Sequence, residues 1–335
     1  MKTTMKILGA CLACAFCLTV TNAAPVTLLN DVFDSSYLSG GDDPDKKLSS
    51  AQSLPNSAEW FVSYPDGNTS DTANVVFSPT TGMTLRKTDN TNAVNVMAYF
   101  TENRSSFQSL SVGASLELTF TLSVLNPRDT SDKSLNFGLF NSGGNQLEQG
   151  YYTNGAKQAK IMPFSGYLIM TNAGNQSSSW QTTPGFRNSS NSTYSLYASS
   201  TISEPAGDPD SRFGGGPIHN TPLNLANATT YNGSFMITRN AADENTIVFT
   251  LNGTTILSTI DTEATLFAFD TINFGYGGTN MGDAMTLNNI KLVYTVPEPA
   301  VLTLLLLAAA PLAIRNRLRG RGGHGVTTKE RGKTG

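Results

Sequence analysis

The sequence predicts an all-β protein built as an antiparallel β-sandwich of jelly-roll type. Over residues 114–125, apolar and polar side chains alternate without a break, which is the pattern of a strand with one buried and one wet face. The dipeptide Asn252-Gly253 separates two further alternating runs, and both of its residues tolerate the positive φ that a tight hairpin needs. No long stretch shows helical periodicity, so strands are expected throughout the folded part.

Shorter runs with the same period of two predict the other strands. They lie at residues 94–100, 231–237, 247–251, 256–260, 272–276 and 290–294. Strands with one wet face need a second sheet to bury their apolar side, so the sequence favours two packed sheets. In this pattern the body resembles the concanavalin-like and laminin-G-like sandwiches and the sandwiches of carbohydrate-binding modules. The resemblance implies a jelly-roll arrangement of the strands.

Residues 24–295 form the predicted sandwich domain, and residues 171–227 are its most unusual segment. This segment is rich in Ser, Asn, Thr, Gly and Pro, and it includes the run Gly214-Gly215-Gly216-Pro217. Its composition predicts long surface loops with one short strand near residues 193–197. Loops carried by a rigid scaffold often hold binding residues, so this insertion is the first candidate for a variable binding surface.

The N-terminus, residues 1–23, is predicted to be a signal peptide that forms a helix. Two lysines precede a short apolar core, and small residues lead to the predicted cleavage between Ala23 and Ala24. These features imply the Sec translocon and signal peptidase as partners. A competing lipoprotein box ends at Cys11, but only four apolar or small residues separate Lys6 from that cysteine, which is too early for a membrane-engaged core.

The C-terminus carries a segment of three ordered parts over residues 296–321. The motif Pro297-Glu298-Pro299 comes first, an uninterrupted apolar stretch at 300–314 follows, and a cluster of arginines comes directly after it. The prolines end the preceding strand and hold the backbone extended, as a processing enzyme requires. The apolar stretch predicts a short membrane helix, and the arginines would keep its end at the cytoplasmic face.

This order of parts resembles the PEP-CTERM sorting signal. The resemblance implies that an exosortase recognises Pro297, Glu298 and Pro299 and removes the membrane segment. The Gly- and Lys-rich tail at 322–335 departs from the family pattern, in which the chain stops soon after the basic cluster. The competing interpretation is an ordinary C-terminal anchor that contains Pro-Glu-Pro by chance.

The charge of the body argues against nucleic acid as a partner. Residues 24–299 contain 13 Lys and Arg against 24 Asp and Glu, a net charge of about −11, although the whole chain carries only −3. A body of this charge repels phosphate backbones. It suits cations, neutral glycans or solubility alone.

The residue inventory argues against the common catalytic arrangements. All three cysteines lie in the signal peptide, and the two histidines are His219, in a Gly/Pro-rich loop, and His324, in the C-terminal tail. Catalysis by Ser-His-Asp or Cys-His groups and a His-rich zinc site are therefore poorly supported. Glycoside hydrolysis needs only two carboxylates, but the E-x-D-x-x-E signature of sandwich glucanases is absent at Glu117. We therefore expect no enzyme.

Acidic turns offer candidate ligands for a structural Ca²⁺ ion. Three carboxylates fall in one tight Gly- and Pro-containing loop at 40–45, and hard oxygen ligands on a bendable loop are what Ca²⁺ prefers. Further carboxylates lie near the first strand and just before the last strand, and those strands often neighbour each other in sandwiches. The predicted ligands are Asp31, Asp34, Asp42, Asp43, Asp45 and Asp283. The alternative is an ordinary set of solvated acidic turns.

Aromatic residues near the insertion are candidate glycan contacts. Their apolar faces can stack on the C–H surfaces of sugar rings, although aromatic residues in sandwiches also serve as core or rim packing. The candidates are Tyr151, Tyr152, Trp180, Tyr194 and Tyr197, together with Tyr167.

These observations predict an exported, non-catalytic surface or extracellular-matrix protein. It would be anchored transiently in the inner membrane and then reach the cell surface or matrix of a Gram-negative-type bacterium. Extracellular polysaccharide is the expected partner in that setting. The alternative is a glycan-binding module or a carbohydrate-active enzyme built on the same sandwich.

Overall fold

The described part of the molecule is all-β, as the sequence predicts. The computed structural model describes residues 24–33, 53–64, 75–86, 94–103, 105–127, 135–146, 151–152, 163–171, 173–174, 182–187, 223–277 and 283–297. Within them every regular element is a strand, and the strands form two large sheets and one small ribbon. None of these residues belongs to a helix long and apolar enough to cross a membrane. The two predicted terminal helices lie outside the described residues.

Sheet I is the sheet built around the longest central strands. In the described part of the chain it consists of β1 (Val26–Asp31), β3 (Val75–Ser78), β4 (Gly82–Arg86), β7 (Ser115–Leu125), β12 (Tyr231–Arg239), β13 (Asn245–Leu251), β14 (Thr254–Asp261) and β17 (Ala284–Thr295). Its order is β14-β13-β12-β7-β17-β4-β3, and β1 pairs with the second half of β17. The predicted neighbourhood of the first and last strands is therefore confirmed.

Sheet II packs against sheet I. Among the described residues it consists of β2 (Trp60–Tyr64), β5 (Val94–Tyr99), β8 (Leu135–Asn141), β9 (Tyr151–Tyr152), β10 (Ser165–Thr171), β11 (Thr183–Arg187) and β16 (Thr271–Tyr276). Its order is β11-β10-β8-β16-β5-β2-β9, with antiparallel pairing throughout except between β2 and β9. The remaining two described strands, β6 (Gln108–Ser109) and β15 (Ala268–Phe269), pair with each other as a short antiparallel ribbon.

The chain passes repeatedly between the two sheets, and this gives the sandwich its jelly-roll character. Aromatic side chains fill the space between the sheets. The ring of Phe120 on β7 stacks on that of Phe137 on β8 at 4.8 Å, and Phe137 in turn lies 5.3 Å from Phe249 on β13. Aromatic pairs of this kind add to the hydrophobic gain from their burial. Residues Ala24–Val296 form one compact unit around this core.

The strongest sequence signals are confirmed. Strand β7 alternates between buried and half-buried side chains over its length, as a strand with one wet face must. Asn252 and Gly253 have φ values of 49° and 75° and connect β13 to β14. Both residues adopt the left-handed conformation that a two-residue hairpin turn requires.

The prediction that residues 94–100 form a half-exposed strand is wrong in its burial. All six residues of β5 are buried, and the same holds for β16, its neighbour in sheet II. The polar positions of these strands carry Asn95 and Asn273, which are fully buried. The alternation in the sequence identifies a strand correctly, but it does not reveal that both faces are covered.

The insertion at 171–227 contains a strand where the sequence predicts loops. Strand β11 pairs with β10, and Pro184 lies opposite Ile169 in that ladder. A proline cannot donate a ladder hydrogen bond, so it is tolerated in a strand at the edge of a sheet, which is the place of β11. The strand expected near 193–197 lies outside the described residues.

Candidate functional site

The outer face of sheet I carries uncharged polar side chains in its central strands. On β7, Thr121 and Ser123 point away from the core, while Leu122 between them is fully buried. On β17, the half-buried Thr286 and Asn288 occupy the same outer face. The alternation of the two strands therefore places hydroxyl and carboxamide groups side by side on one surface.

The strand register arranges these groups in two rows that run across the strands. Row A consists of Thr84, Thr286 and Ser123, because Thr286 pairs with the other two from either side. The hydroxyl oxygens of Thr84 and Thr286 lie 3.0 Å apart and share a hydrogen bond. Row B includes Asn288 and Thr121, which pair directly.

A β-bulge in β17 shapes the surface beside Row B. The register shifts between Asn288 and Lys291, and Asn289 within the bulge has a φ of 49°. The Asn289 amide donates to Oδ1 of Asn288 at 2.7 Å, and the Thr121 hydroxyl donates to the Asn288 carbonyl at 3.1 Å. A bulge bends its strand and redirects side chains, and here it leaves Asn289 exposed beside the two rows.

Glycine at position 82 allows β4 to lie close to this bulge. Gly82 has a φ of 91°, and a Cβ at this position would clash with the Leu287 carbonyl oxygen and the Asn288 side chain. The backbone therefore approaches β17 more closely than any other residue type would permit.

Thr286 and Ser123 of Row A, together with Row B, line an open groove of about 420 Å³. Its lining consists of Thr80, Thr81, Thr121, Leu122, Ser123, Thr230, Thr286, Asn288 and Asn289. Since the Leu122 side chain is buried in the core, this residue contributes its backbone to the floor of the groove. The other eight lining residues carry hydroxyl or carboxamide groups, and none of the nine is charged.

The chemistry of the groove is that of hydrogen bonding without ionisation. A threonine hydroxyl offers one donor and two acceptor positions, and an asparagine carboxamide offers two donors and one acceptor oxygen. Because the nine described lining residues include no carboxylate, imidazole, amine or phenol, their side chains do not supply general acid–base catalysis. The arrangement suits a neutral ligand that carries many hydroxyl groups.

The predicted Ca²⁺ ligand Asp31 has another role in the structure. Its carboxylate is fully buried and accepts hydrogen bonds from Phe33 N at 3.0 Å, Ala58 N at 3.2 Å and Trp60 Nε1 at 2.9 Å. Asp31 ends β1 in sheet I, and Trp60 begins β2 in sheet II. The carboxylate therefore connects the two sheets.

The structure does not bring Asp283 to Asp31. Asp283 is exposed at the start of β17 and accepts a hydrogen bond from Asn126 Nδ2 at 2.6 Å. Asp31 pairs with Ile290, seven residues further along the chain, which corresponds to a separation of about 20 Å along the strand. The described residues contain no group of three His, Cys, Asp or Glu side chains that could hold a metal. Asp34, Asp42, Asp43 and Asp45 lie outside the described residues.

The predicted aromatic contacts are only partly described. Tyr151 and Tyr152 form β9 at the edge of sheet II, while Trp180, Tyr194 and Tyr197 lie outside the described residues. Tyr167 is buried between the sheets, contrary to its predicted part in a glycan surface. Its hydroxyl donates to Asp261 Oδ2 at 2.7 Å and accepts from Asn245 Nδ2 at 2.9 Å.

The predicted processing sites lie at the borders of the described part. Ala24 is exposed, and Ala23 lies outside it. β17 ends at Thr295, and Pro297 is half-buried two residues later. Glu298 and Pro299 lie outside the described residues.

Sequence reasoning missed the buried carboxylate of Asp270. This carboxylate accepts hydrogen bonds from the Ser142 amide at 2.9 Å and hydroxyl at 2.5 Å, from the Thr271 hydroxyl at 2.7 Å and from Gln146 Nε2 at 3.3 Å. Burial raises the pKa of Asp270, while these hydrogen bonds act in the opposite direction. Its position between the apolar residues Phe269 and Ile272 is the signal that could have revealed a buried acid.

The outer face of sheet II is also a feature that the sequence does not reveal. A second cluster of buried apolar side chains lies there: Phe61, Met97, Tyr99, Phe140, Phe164, Leu168 and Met170. Asn136 and Asn273 are buried on the same face, and within the described part of the chain neither Oδ1 of Asn136 nor the carboxamide of Asn273 has a hydrogen-bond partner. Arg187, also buried there, donates to the Phe164 carbonyl at 3.0 Å, and burial lowers the pKa of its guanidinium to about 10.

Comparison with known proteins gives structural likeness at low identity. No protein-family model and no curated protein sequence matches the chain. The fold is similar to the carbohydrate recognition domain of Emp46p in its metal-free form, with 10% identity over 70% of this chain and 87% of that one and a TM-score of 0.42. It is also similar to the alginate lyase Aly36B, with 13% identity, coverage of 81% and 97% and a TM-score of 0.36.

A third similar structure is the basic winged bean lectin with Tn-antigen. Identity is 11%, coverage is 71% of this chain and 93% of that one, and the TM-score is 0.38. Proteins this distant can share a layered architecture and differ completely in function. The function therefore has to be argued from this chain's own residues.

Proposed function

We propose that this chain is an exported, non-catalytic β-sandwich that binds a neutral glycan in the groove of sheet I. The observation that carries the proposal is the lining of the groove, where eight of nine residues offer hydroxyl or carboxamide groups and none is charged. Such groups exchange hydrogen bonds with sugar hydroxyls without the desolvation cost of a charged group. The groove is open, so a long glycan can enter it from the side.

The hydroxyl groups of the groove keep free capacity for a ligand. Thr121 uses its proton for the Asn288 carbonyl, which leaves the lone pairs of its oxygen for a sugar hydroxyl that donates. The hydroxyl of Thr286 in the groove shares one hydrogen bond with that of Thr84 beside it, so whichever of the two accepts this bond still has a proton to donate elsewhere. The groove therefore offers both donors and acceptors, as a sugar requires.

Export and sorting form the second part of the proposal. The signal peptide at 1–23 supports entry into the Sec translocon and cleavage by signal peptidase, and the motif Pro297-Glu298-Pro299 supports recognition by an exosortase. The mature protein would then lie at the cell surface or in the extracellular matrix, where polysaccharide is the partner. A Ca²⁺ site at Asp42, Asp43 and Asp45 also stays a proposal, which melting the protein with and without a chelator tests.

A glycan array with the full chain in mild detergent tests the binding function. We expect binding to at least one neutral polysaccharide. Thr121→Val keeps the shape of the side chain and removes its hydroxyl, and we expect it to weaken that binding about fivefold, the value of one neutral hydrogen bond. Thr238→Val is the matched control, since Thr238 lies on the outer face of β12 outside the groove and should bind normally.

Two results of this experiment would overturn the proposal. Release of reducing ends or unsaturated sugars from the bound glycan would show an enzyme. Equal binding by Thr121→Val and wild type, or the absence of any glycan binding, would remove the groove as the site.

Sorting is tested by replacing Pro297, Glu298 and Pro299 with alanine in the native host. We expect the chain to stay uncut in the inner membrane, which an immunoblot of membrane and medium fractions would show as a full-length band. If the alanine variant were processed at the same rate as the wild type, the sorting proposal would be wrong, and the C-terminal segment would be interpreted as an ordinary membrane anchor.

A further inference from the structure

Row B continues across sheet I beyond the groove itself. Asn288 packs over Gly82 on β4, and Gly82 pairs with Ser78 on β3. On the other side Thr121 pairs with Asn232 on β12, whose backbone amide donates a hydrogen bond to Oδ1 of Asn252 in the next turn. Polar, uncharged groups therefore follow one line from β3 to the turn after β13. At about 4.8 Å per strand, this line is about 24 Å long.

Row A runs beside Row B at a regular distance. Ser123 and Thr121 are two residues apart on β7, and so are Thr286 and Asn288 on β17, which separates the rows by about 7 Å. Thr230 extends Row A, since it precedes Tyr231, the partner of Leu122. The floor between the rows is backbone, because the side chains of Leu122 and Leu287 are buried in the core. The two rows thus enclose a furrow that runs perpendicular to the strands.

We propose that this furrow binds an extended, unbranched, neutral polysaccharide that lies across the strands, with about one sugar unit per strand. This inference rests on the proposed glycan-binding function and specifies the class of its ligand. The spacing between strands is close to the length that one hexose unit adds to an extended β-linked chain. Such a chain is a ribbon whose hydroxyl groups lie along its two edges, and the furrow has hydrogen-bonding groups along both of its edges.

The charges around the furrow favour a neutral chain over a polyuronate. Neither row itself contains a cation that could pair with a uronate carboxylate. Arg86 lies two residues beyond Thr84 on β4, outside Row A, and Lys291 and Glu117 lie further along β17 and β7. Residues 24–299 also carry a net charge of about −11, which repels polyanions.

The length dependence of oligosaccharide binding tests the furrow. The probes are neutral linear ladders of two to six units, made of β-1,4-glucose, β-1,4-N-acetylglucosamine, β-1,4-mannose and β-1,3-glucose, with oligouronates of equal length for comparison. The protein is the full chain in mild detergent. For at least one neutral ladder, we expect the Kd to fall more than tenfold between two and five units.

A variant at one end of the furrow sharpens the test. Asn232 is exposed at the β12 end of Row B, so Asn232→Ala should weaken the binding of five- and six-unit chains about fivefold and leave two-unit chains unchanged. Thr286→Val, at the centre of Row A, should weaken chains of every length. Thr238→Val should change neither, and melting curves confirm that all variants are folded.

The outcomes separate this inference from the proposed function. Two results would indicate a compact pocket: a Kd for two-unit chains equal to that for longer chains, or weaker binding of chains of every length by Asn232→Ala. Either result would overturn the furrow but leave the proposed glycan binding in place. Tighter binding of oligouronates than of neutral oligosaccharides of equal length would overturn the inference that the ligand is neutral. Failure of every glycan, polymers included, would remove the proposed function together with this inference.

Discussion

The outer faces of the two sheets differ in burial and in chemistry. On sheet I, the outward side chains of β7 are half-buried hydroxyls, one carboxylate and the exposed Leu125 at its end, so this face is in contact with water. On sheet II, both faces of β5 and β16 are buried, and the outer one holds apolar side chains and asparagines. Sheet I therefore has a buried apolar core on one face only, whereas sheet II has buried apolar side chains on both faces. For the described central strands, the difference teaches that accessible polar side chains lie on sheet I, whereas the polar side chains of β5 and β16 in sheet II lie within the fold.

The largest effect on stability is expected on the outer face of sheet II. Phe140 is fully buried in the second cluster, and Gly138 and Gly166 leave the space that its ring occupies. Phe140→Ala should lower the free energy of unfolding by about 3–5 kcal/mol, because it removes apolar contact and leaves a cavity. Chemical denaturation measures this loss. A change below about 1 kcal/mol would show that this face is not a second core.

The next largest effect is expected at the contact between the sheets. Asp31→Asn replaces the carboxylate that accepts from Phe33 N, Ala58 N and Trp60 Nε1 with a carboxamide, whose NH₂ group cannot accept a hydrogen bond. We expect a loss of about 2–3 kcal/mol in the free energy of unfolding, since hydrogen bonds to charged groups are the stronger ones. Asp283→Asn is the matched control at the exposed start of β17 and should cost less than about 1 kcal/mol. Equal losses would contradict the role given to Asp31.

A smaller effect, which depends on pH, is expected at Asp270. Burial raises the pKa of this carboxyl above its ordinary value of 3.8, so the folded protein binds the proton more tightly than the unfolded chain does. Its contribution to stability is then largest below pH 3.8 and is lost as the pH rises towards the raised pKa. The Tm of wild type minus that of Asp270→Asn should therefore fall between pH 4 and pH 7. A difference that grows over this range would contradict the raised pKa.

The smallest effect on stability is expected on the outer face of sheet I. Thr121→Val removes one hydroxyl from a half-buried position and keeps the β-branched shape that suits a strand. We expect the free energy of unfolding to change by less than about 0.5 kcal/mol, although glycan affinity falls. A loss as large as that of Phe140→Ala would mean that the two faces are equivalent in stability.

Much of sheet I could be predicted from the sequence, because its strands expose one face. The alternation in β7 and the Asn252-Gly253 turn specify a strand and a hairpin through local side-chain chemistry alone. β11 could not be predicted in this way, since Pro184 and Gly185 disfavour a strand until an edge position permits them. The groove was missed for a related reason: threonines on wet strand faces are common, and only the register decides which of them meet.

The sequence by itself determined that this chain folds as an antiparallel sandwich, since a period of two in hydrophobicity is a local property of strands. Its termini also determined the prediction of export and sorting. The tertiary structure alone decided that Asp31 joins the two sheets instead of meeting Asp283, and that Thr121 lies beside Asn288. These are contacts between residues far apart in the chain, and strand order and register, which no local pattern encodes, bring them together.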